Sequence, residues 1–529
     1  MSSSQHSVVA SAKSGGRRQL PLLLSSILIV VAVWLVAAGR QLDYLADDAY
    51  ILFRHVLQHR RGLGMIWDVW HPVQAHSSVL WAYLLRLLSS LGLPIEDAAR
   101  LLGTCFGVLS VLLVTVTLWS TLNLKRLLVA VALLATFPPL VLWSSAGLET
   151  TLALCLGLHF VSVVGRACEK SVSPPLQEAE LLTAVLLGVV SPLVRPDLPL
   201  QLLGGLCCLF VWNARARRLI PVVVVSCMMG ILVYIALNRW SYGVSVAVPV
   251  ATKFRIEPRN VLRFGRYVLH DAPQLVLLWL ILAAVLRKTW RSELIQDPVA
   301  LLSFGTLCAT LAELSLLGGD ELSRGRFLIW PFACTLLVLG RLVVTVRIPK
   351  GTRNGVLLSL LALCVSQSAW ALAPEGDAPC SRWRKSAGEW LHSHSAPDAT
   401  IAVAPAGFIP YFADRKTVDL MGLAHQKIGT LPMVRGSEPW GFAATEIAIA
   451  EGTCAILLVV CDSPAEDPRV YCEHPTLRGI ASSIKSHPEY GFYRADIGVG
   501  NPLRLAVRRD CLSLFQGLSE EPPLRSEVR

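Results

Sequence analysis

Two adjacent carboxylates, Asp47 and Asp48, open the stretch YLADDAYILFRHVLQHRRGLGMIWDVWHPVQAHSS at residues 44–78. They follow directly on the first long apolar run, where a chain leaves the hydrocarbon layer. An acid in that position has two uses: it caps a helix start, where Asp is favoured, or it takes a proton from a reacting group. Behind the pair, the pattern predicts an amphipathic helix carrying Ile51, Phe53, Arg54 and Leu57. Gly62 and Gly64 follow, then a loop rich in Trp and His. Acids beside a bilayer are costly unless they cap, pair or function. Proton chemistry by one of these two is the expected role. The helix is expected to start at Ala49, which leaves Asp48 as its cap and Asp47 as the base.

The elements that must position these acids are set by composition. Hydrophobic residues make up 53% of the 529 and charged residues 16%, against about 25% charged in soluble domains. Apolar runs long enough to cross about 30 Å of hydrocarbon recur along the chain. The sequence therefore predicts a polytopic α-helical membrane protein. The net charge of +11 does not indicate nucleic acid, because Lys and Arg fall in short connections between apolar runs, the distribution that sets topology. A polar tail at 1–19 carries Lys13, Arg17 and Arg18 and precedes the run 20–38. No small-residue cleavage site follows that run, so an uncleaved first span with a cytoplasmic N-terminus is expected. The further expected spans are 99–121, 127–143, 150–165, 181–195, 198–212, 219–237, 274–286, 299–317, 327–346 and 355–373. That makes about eleven, with 79–93 lying at the outer surface. This arrangement keeps every basic cluster inside.

The same topology collects the unusual polar residues outside: Asp47 and Asp48, Glu149 in SSAGLETT, Arg195 and Asp197 in VRPD, the segment 238–272, and Asp320 to Arg326 in GGDELSRGR. Each alone reads equally well as a paired or solvated charge; an outward-facing site would need them together. After residue 374 the character changes. Mixed periodicity over 375–529 predicts an extracytoplasmic α/β domain, with helices near Trp383–Leu391, Gly441–Glu451 and Leu477–Lys485 and buried strands in IAVAPAGFIPYF, CAILLVVC and RLAVRR. Most of the 14 cysteines lie in apolar runs. Cys461 and Cys472 flank an acidic loop that a disulfide would close in an oxidising compartment. No Walker motif, GxGxxG after a strand or GxSxG elbow is present.

LADDAYILFRH, GLG and VQAHSSVLWAYLLRLLSSLGLP resemble the first outer loop of bacterial glycosyltransferases of the GT-C superfamily. The likeness is to the branch that includes terminal β-(1→2)-arabinofuranosyltransferases. SSAGLETTL, VRPD, GGDELSRGRF and FIPYFADRKTVDLMGLA extend it in order from residue 47 to about 424. Gln74 stands where that family usually has Glu, His76 where it often has Tyr, and RGR where it has GYR.

The resemblance implies transfer of a sugar, a pentose such as arabinofuranose or a hexose, from a polyprenyl-phosphate donor to a cell-envelope glycan acceptor at the outer face of a plasma membrane. The catalytic loop would be 39–98, within a transmembrane domain at 20–374, with Asp47 or Asp48 as general base. Lys253, Arg324, Arg326 and Arg195 are the candidates for the donor phosphate. His76, Glu149, Asp320 and Glu321 are candidates for substrate contact. No cofactor is required, although a divalent metal (Mg or Mn) bridging an acid and the phosphate is permitted. Two readings from other classes stand beside this one. A flippase would move the lipid-linked sugar without chemistry, and a non-catalytic assembly protein would keep only the fold.

Overall fold

The computed structural model describes residues 44–69, 72–169, 173–253, 257–289, 293–320, 324–343, 350–371, 378–435, 437–458, 475–499 and 502–521, with isolated residues 32, 35, 36 and 39. The expected first span 20–38 and the Cys461–Cys472 pair therefore lie outside the described residues, wholly or nearly so. The chain divides into two compact units. One comprises residues 1–42, 100–232 and 256–374; the other comprises 43–99, 233–255 and 375–529. The acidic loop thus groups with the C-terminal segment.

The first unit is helical. Among the described residues of the whole chain, five helices are long and apolar enough to cross a membrane: Ile95–Trp119, Thr150–Ala167, Pro174–Val194, Ala216–Tyr242 and Pro298–Leu317. Two bent pairs raise the number to seven, short of the eleven expected. Proline accounts for the bends. Leu124–Ala135 and Pro138–Ser145 meet at 52°, because Pro138 and Pro139 supply no N–H donor and push Phe137 to an extended backbone, φ −66° and ψ 112°. Asn260–Asp271 and Pro273–Thr289 meet at 104° around Ala272, again just before a proline. Other helices are short. Leu198–Trp212 has 15 residues, about 22 Å at 1.5 Å per residue. It packs against Pro298–Leu317 through glycine. A Cβ on Gly205 would stand 2.5 Å from the Leu302 carbonyl oxygen, and one on Gly305 would stand 2.7 Å from that of Gly204. Only hydrogen fits there, the usual device for bringing membrane helices close.

The second unit begins with the helix Asp47–Arg60 and continues through a loop to the helix Val79–Ser90, which Ser78 caps by accepting from the Trp81 N–H. Val79–Ser90 has 12 residues, about 18 Å at 1.5 Å per residue, shorter than the hydrocarbon is thick. Among the described residues the C-terminal segment forms a six-stranded sheet in the spatial order 416–419, 400–403, 455–457, 503–508, 490–495 and 519–521. Its strands are β1 (Thr400–Val403), β2 (Lys416–Asp419), β3 (Ala455–Leu457), β4 (Tyr490–Ala495), β5 (Leu503–Arg508) and β6 (Ser519–Glu521). β1 pairs parallel with β2 and β3, and the remaining pairs are antiparallel. Both faces of the central strands are covered, and β1 (TIAV) and β3 (AIL) are accordingly buried at every position. Ile401, Val403, Leu505 and Val507 pack with Trp383, Ala387 and Leu391 of the helix Ala378–His394. Ala402, Ile456 and Ala506 face the other way, toward Trp440, Ala444 and Ile480 of the helices Glu438–Ala450 and Pro475–Lys485. A disulfide joins Cys454 to Cys511.

The strand expected through IAVAPAGFIPYF stops at Val403, and Phe408–Ala413 is a helix of six residues. The interruption at Gly407 turns out to matter for the acidic pair.

Candidate active site

The first helix starts at Asp47 rather than Ala49. Ala46 therefore occupies the N-cap without a side-chain hydrogen bond, and both acids lie in the first turn. Asp48 is not a cap. The Asp47 carboxylate is turned instead to the start of Phe408–Ala413. It accepts from the Gly407 N–H at 3.0 Å and the Phe408 N–H at 3.1 Å. Arg384 Nη1 stands 3.9 Å from Asp47 Oδ1, and 15% of the Asp47 side chain is exposed. Burial pushes the Asp47 carboxyl above the ordinary Asp value and Asp48 adds to this; Arg384 and the two N–H groups pull against it without winning. Asp47 is thus a fixed, partly accessible carboxylate with raised proton affinity.

Seven residues on, Arg54 ties the same helix to its loop and to the C-terminal segment. Its side chain is 3% exposed and pairs with Asp68 at 3.0 Å. It donates to the carbonyl oxygens of Trp67 at 2.8 Å, Arg415 at 2.8 Å and Pro410, and lies 4.8 Å over the Trp67 ring. Asp68 also accepts from the Thr417 N–H at 3.1 Å. His55 follows, with Nδ1 donating to the Ile51 carbonyl at 2.8 Å, which leaves Nε2 to accept from the Ala75 N–H at 3.2 Å. Burial lowers its pKa to about 4. His76 packs edge-on against His55 at 4.7 Å and is held well below the ordinary His value, first by burial. It is a buried, neutral ring; among the described residues neither of its nitrogens meets a hydrogen-bond partner of ordinary geometry, nor does the side-chain amide of the fully buried Gln74.

The helical unit assembles a second polar group. Arg195 makes a two-pronged pair with Asp197, Nε to Oδ1 at 3.0 Å and Nη2 to Oδ2 at 2.6 Å. Gln201 bridges onward, donating to Asp197 at 3.2 Å and to Glu313 at 2.9 Å. Glu149 and Glu313 are close enough to act on Arg195 electrostatically. Arg326 makes the matching pair with Asp320, at 2.8 and 3.1 Å. Phe327 lies between the two cations, 4.4 Å from Arg195 and 4.5 Å from Arg326. Arg324 takes a left-handed backbone, φ 77°, and its carbonyl accepts from Trp143 Nε1 at 3.1 Å. Glu149, 6% exposed, sits at the N-cap of Thr150–Ala167 without a capping hydrogen bond.

Of the expected site residues, Glu149, Arg195, Asp320, Arg324 and Arg326 fall in this helical unit, and Asp47, Asp48 and His76 in the other. Lys253 ends the short helix Val248–Lys253; its side chain, and Glu321 entirely, lie outside the described residues. Glu313, Gln201, Asp68, Arg384 and Gly407 were not expected. A lone acid within the apolar run at 299–317 was a legible signal for Glu313; Gly407 and Arg384 carried none, since their partner lies some 350 residues away. Among the described residues, no group of three or more His, Cys, Asp and Glu side chains is arranged to hold a metal ion.

Residues 379–493 match a family described as a domain of unknown function, DUF8728. Across the solved structures, the fold is similar to that of ArnT from Cupriavidus metallidurans in the apo state. The TM-score is 0.60 at 11% identity, covering 93% of this chain and 99% of that one. The same protein bound to undecaprenyl phosphate gives 0.57 at 11% identity, with 92% and 98% covered. The Archaeoglobus fulgidus oligosaccharyltransferase in its apo form gives 0.52 at 13% identity, with 91% and 74% covered. The likeness is one of fold: the chain shares the polytopic helical membrane architecture of ArnT and of the oligosaccharyltransferase. In sequence, the chain is 24% identical over 378 residues to a terminal beta-(1->2)-arabinofuranosyltransferase of Corynebacterium glutamicum. That match takes in 64% of this chain and about half, 53%, of the relative's length.

Proposed function

We propose that this protein is an inverting glycosyltransferase that moves a sugar from a polyprenyl-phosphate donor to a glycan acceptor at the outer face of a plasma membrane, with Asp47 as general base. The state of the Asp47 carboxylate carries the reading. A sugar hydroxyl is a weak nucleophile, and an acid within hydrogen-bond reach that takes its proton speeds attack by about 10²–10⁴-fold. Asp47 is oriented by two N–H groups, yet a carboxylate has about four acceptor positions. Raised proton affinity makes it the better base.

In the proposed step the acceptor oxygen attacks the anomeric carbon and its proton passes to Asp47. The bond from that carbon to the phosphate oxygen breaks, and the electron pair leaves with the polyprenyl phosphate. Configuration inverts. The phosphate gains charge as it leaves, which Arg stabilises through charge-assisted hydrogen bonds. Arg195 and Arg326, with Arg324 and Lys253, are assigned that role; Glu149, His76, Asp320 and Glu321 are assigned to substrate contact. The donor class is supported by the structure of a similar fold bound to undecaprenyl phosphate, and the pentose by the arabinofuranosyltransferase relative. An extracytoplasmic C-terminal domain is supported by the Cys454–Cys511 disulfide, since such bonds persist in oxidising compartments.

Mass spectrometry of lipids from cells with and without the protein tests the reading. Loss of the protein is expected to leave a polyprenyl phosphosugar accumulating and a glycan lacking that sugar. Unchanged lipids and glycans would refute it. Movement of labelled lipid-linked sugar across vesicles without any acceptor would instead indicate a flippase.

A further inference from the structure

We infer that the C-terminal domain, whose residues 379–493 match a family without assigned function, completes the catalytic apparatus by holding and orienting the Asp47 carboxylate. The inference rests on the assignment of Asp47 as base and adds positioning residues to it: Arg384, Gly407 and Phe408.

Three contacts converge on one carboxylate from two places in that domain. Gly407 and Phe408 each donate a backbone N–H, at 3.0 and 3.1 Å, one to each oxygen. This fixes the plane of the carboxylate as well as its position. Position 407 tolerates no side chain. A Cβ there would stand 1.9 Å from the Asp47 carbonyl oxygen and 2.7 Å from its Cγ. Arg384 comes from the helix Ala378–His394 and stops 3.9 Å short, beyond ordinary hydrogen-bond length, so it acts on Asp47 mainly as a charge. At that distance it favours the ionised form without occupying an acceptor position that a substrate hydroxyl would need.

The groups that bear on Asp47 divide cleanly. On its own helix, Asp48 raises its proton affinity. Arg384 and the N–H groups of Gly407 and Phe408, all from the C-terminal domain, lower it. Burial outweighs them, and the balance leaves a carboxylate with a higher proton affinity than free Asp. The main lowering contributions thus come from the C-terminal domain. Around the contact, Tyr50 packs on Phe408 at 4.0 Å and on Tyr411 at 5.0 Å, which holds the two segments in register.

The test is the pH dependence of kcat/KM for sugar transfer by the full-length chain in membranes. Activity requires Asp47 ionised, so its acid limb reports the pKa of the base. Removing the cation in Arg384→Gln is expected to move that limb upward by about one pH unit, the low end of what an opposite charge at this range contributes, given partial exposure. Arg384→Lys should restore most of the shift. Gly407→Ala should abolish transfer while Cys454–Cys511 still forms, a marker that the domain has folded. An acid limb unmoved in Arg384→Gln would overturn the inference, as would an equal shift in Arg384→Lys. The underlying assignment fails separately, if Asp47→Asn transfers sugar normally.

Discussion

Replacing Asp68 by Ala is expected to unfold the second unit long before it touches the chemistry. Arg54 and Asp68 are 3% and 4% exposed and 3.0 Å apart, so the substitution leaves a guanidinium buried without its hydrogen-bonded carboxylate. Breaking a buried pair in this way costs about 3–5 kcal/mol. The Thr417 N–H loses its acceptor as well, adding about 1 kcal/mol. A total of about 4–6 kcal/mol is a large part of a typical domain stability of about 5–15 kcal/mol. Urea-dependent pulse proteolysis of the purified full-length protein in detergent reads it directly. In Arg54→Met combined with Asp68→Leu neither charge remains, although the carbonyls of Trp67, Pro410 and Arg415 lose their donor. The double variant is therefore expected to be less destabilised than the sum of its singles by about 3 kcal/mol, near the upper end for coupled neighbours. A cost below about 1 kcal/mol for Asp68→Ala, or strict additivity, would refute this account of the junction.

Reducing Cys454–Cys511, whose partners are 57 residues apart, is expected to cost about 4 kcal/mol by the chain-entropy relation. A urea midpoint insensitive to reductant would contradict this. His55 is neutral in the fold, with a pKa of about 4 against 6.5. Its contribution is complete above pH 6.5 and is lost as pH falls toward 4, by about 3 kcal/mol in all. Asp419, raised to about 6 by burial, acts in the opposite sense as pH rises from about 4 to 6. Stability curves for wild type and His55→Gln should therefore diverge between pH 6.5 and 4; parallel curves would dismiss the buried neutral ring. Arg195→Gln and Arg326→Gln should each lower kcat/KM for the polyprenyl donor by about 10–100-fold, the value of a charged hydrogen bond. Donor kinetics unchanged in both would remove these residues from the donor site.

The class of fold was legible because hydropathy is local: long apolar runs with basic connections read as membrane helices whatever they pack against. Helix number was less legible: Pro138 bends the run expected as one span at 127–143, and the runs expected at 198–212 and 327–346 form helices of 15 and 14 residues among the described residues. In the C-terminal segment, the strands at Thr400–Val403 and Leu503–Arg508 could be found from apolar patterning. The helix Phe408–Ala413 could not, because its start depends on a carboxylate from Asp47. The acidic pair was visible as an anomaly at the end of an apolar run. Which neighbour would hold which acid was not, since Arg384 and Gly407 approach Asp47 only after folding. Likewise Asp197 and Gln201, at the start of one helix, meet Glu313 of another; Asp197 stood out in VRPD, whereas its link to Glu313 across helices did not.

The most direct measurement of the central claim is transfer from a defined polyprenyl phosphosugar to a synthetic acceptor by the purified full-length protein in lipid nanodiscs, comparing wild type with Asp47→Asn and Asp48→Asn. Asp47→Asn should lower kcat by about 10²–10⁴-fold, the usual worth of a general base, with donor binding kept and the wild-type product inverted at the anomeric carbon. Asp48→Asn should keep most of the activity. Full activity in Asp47→Asn, or a product of retained configuration, would contradict the account.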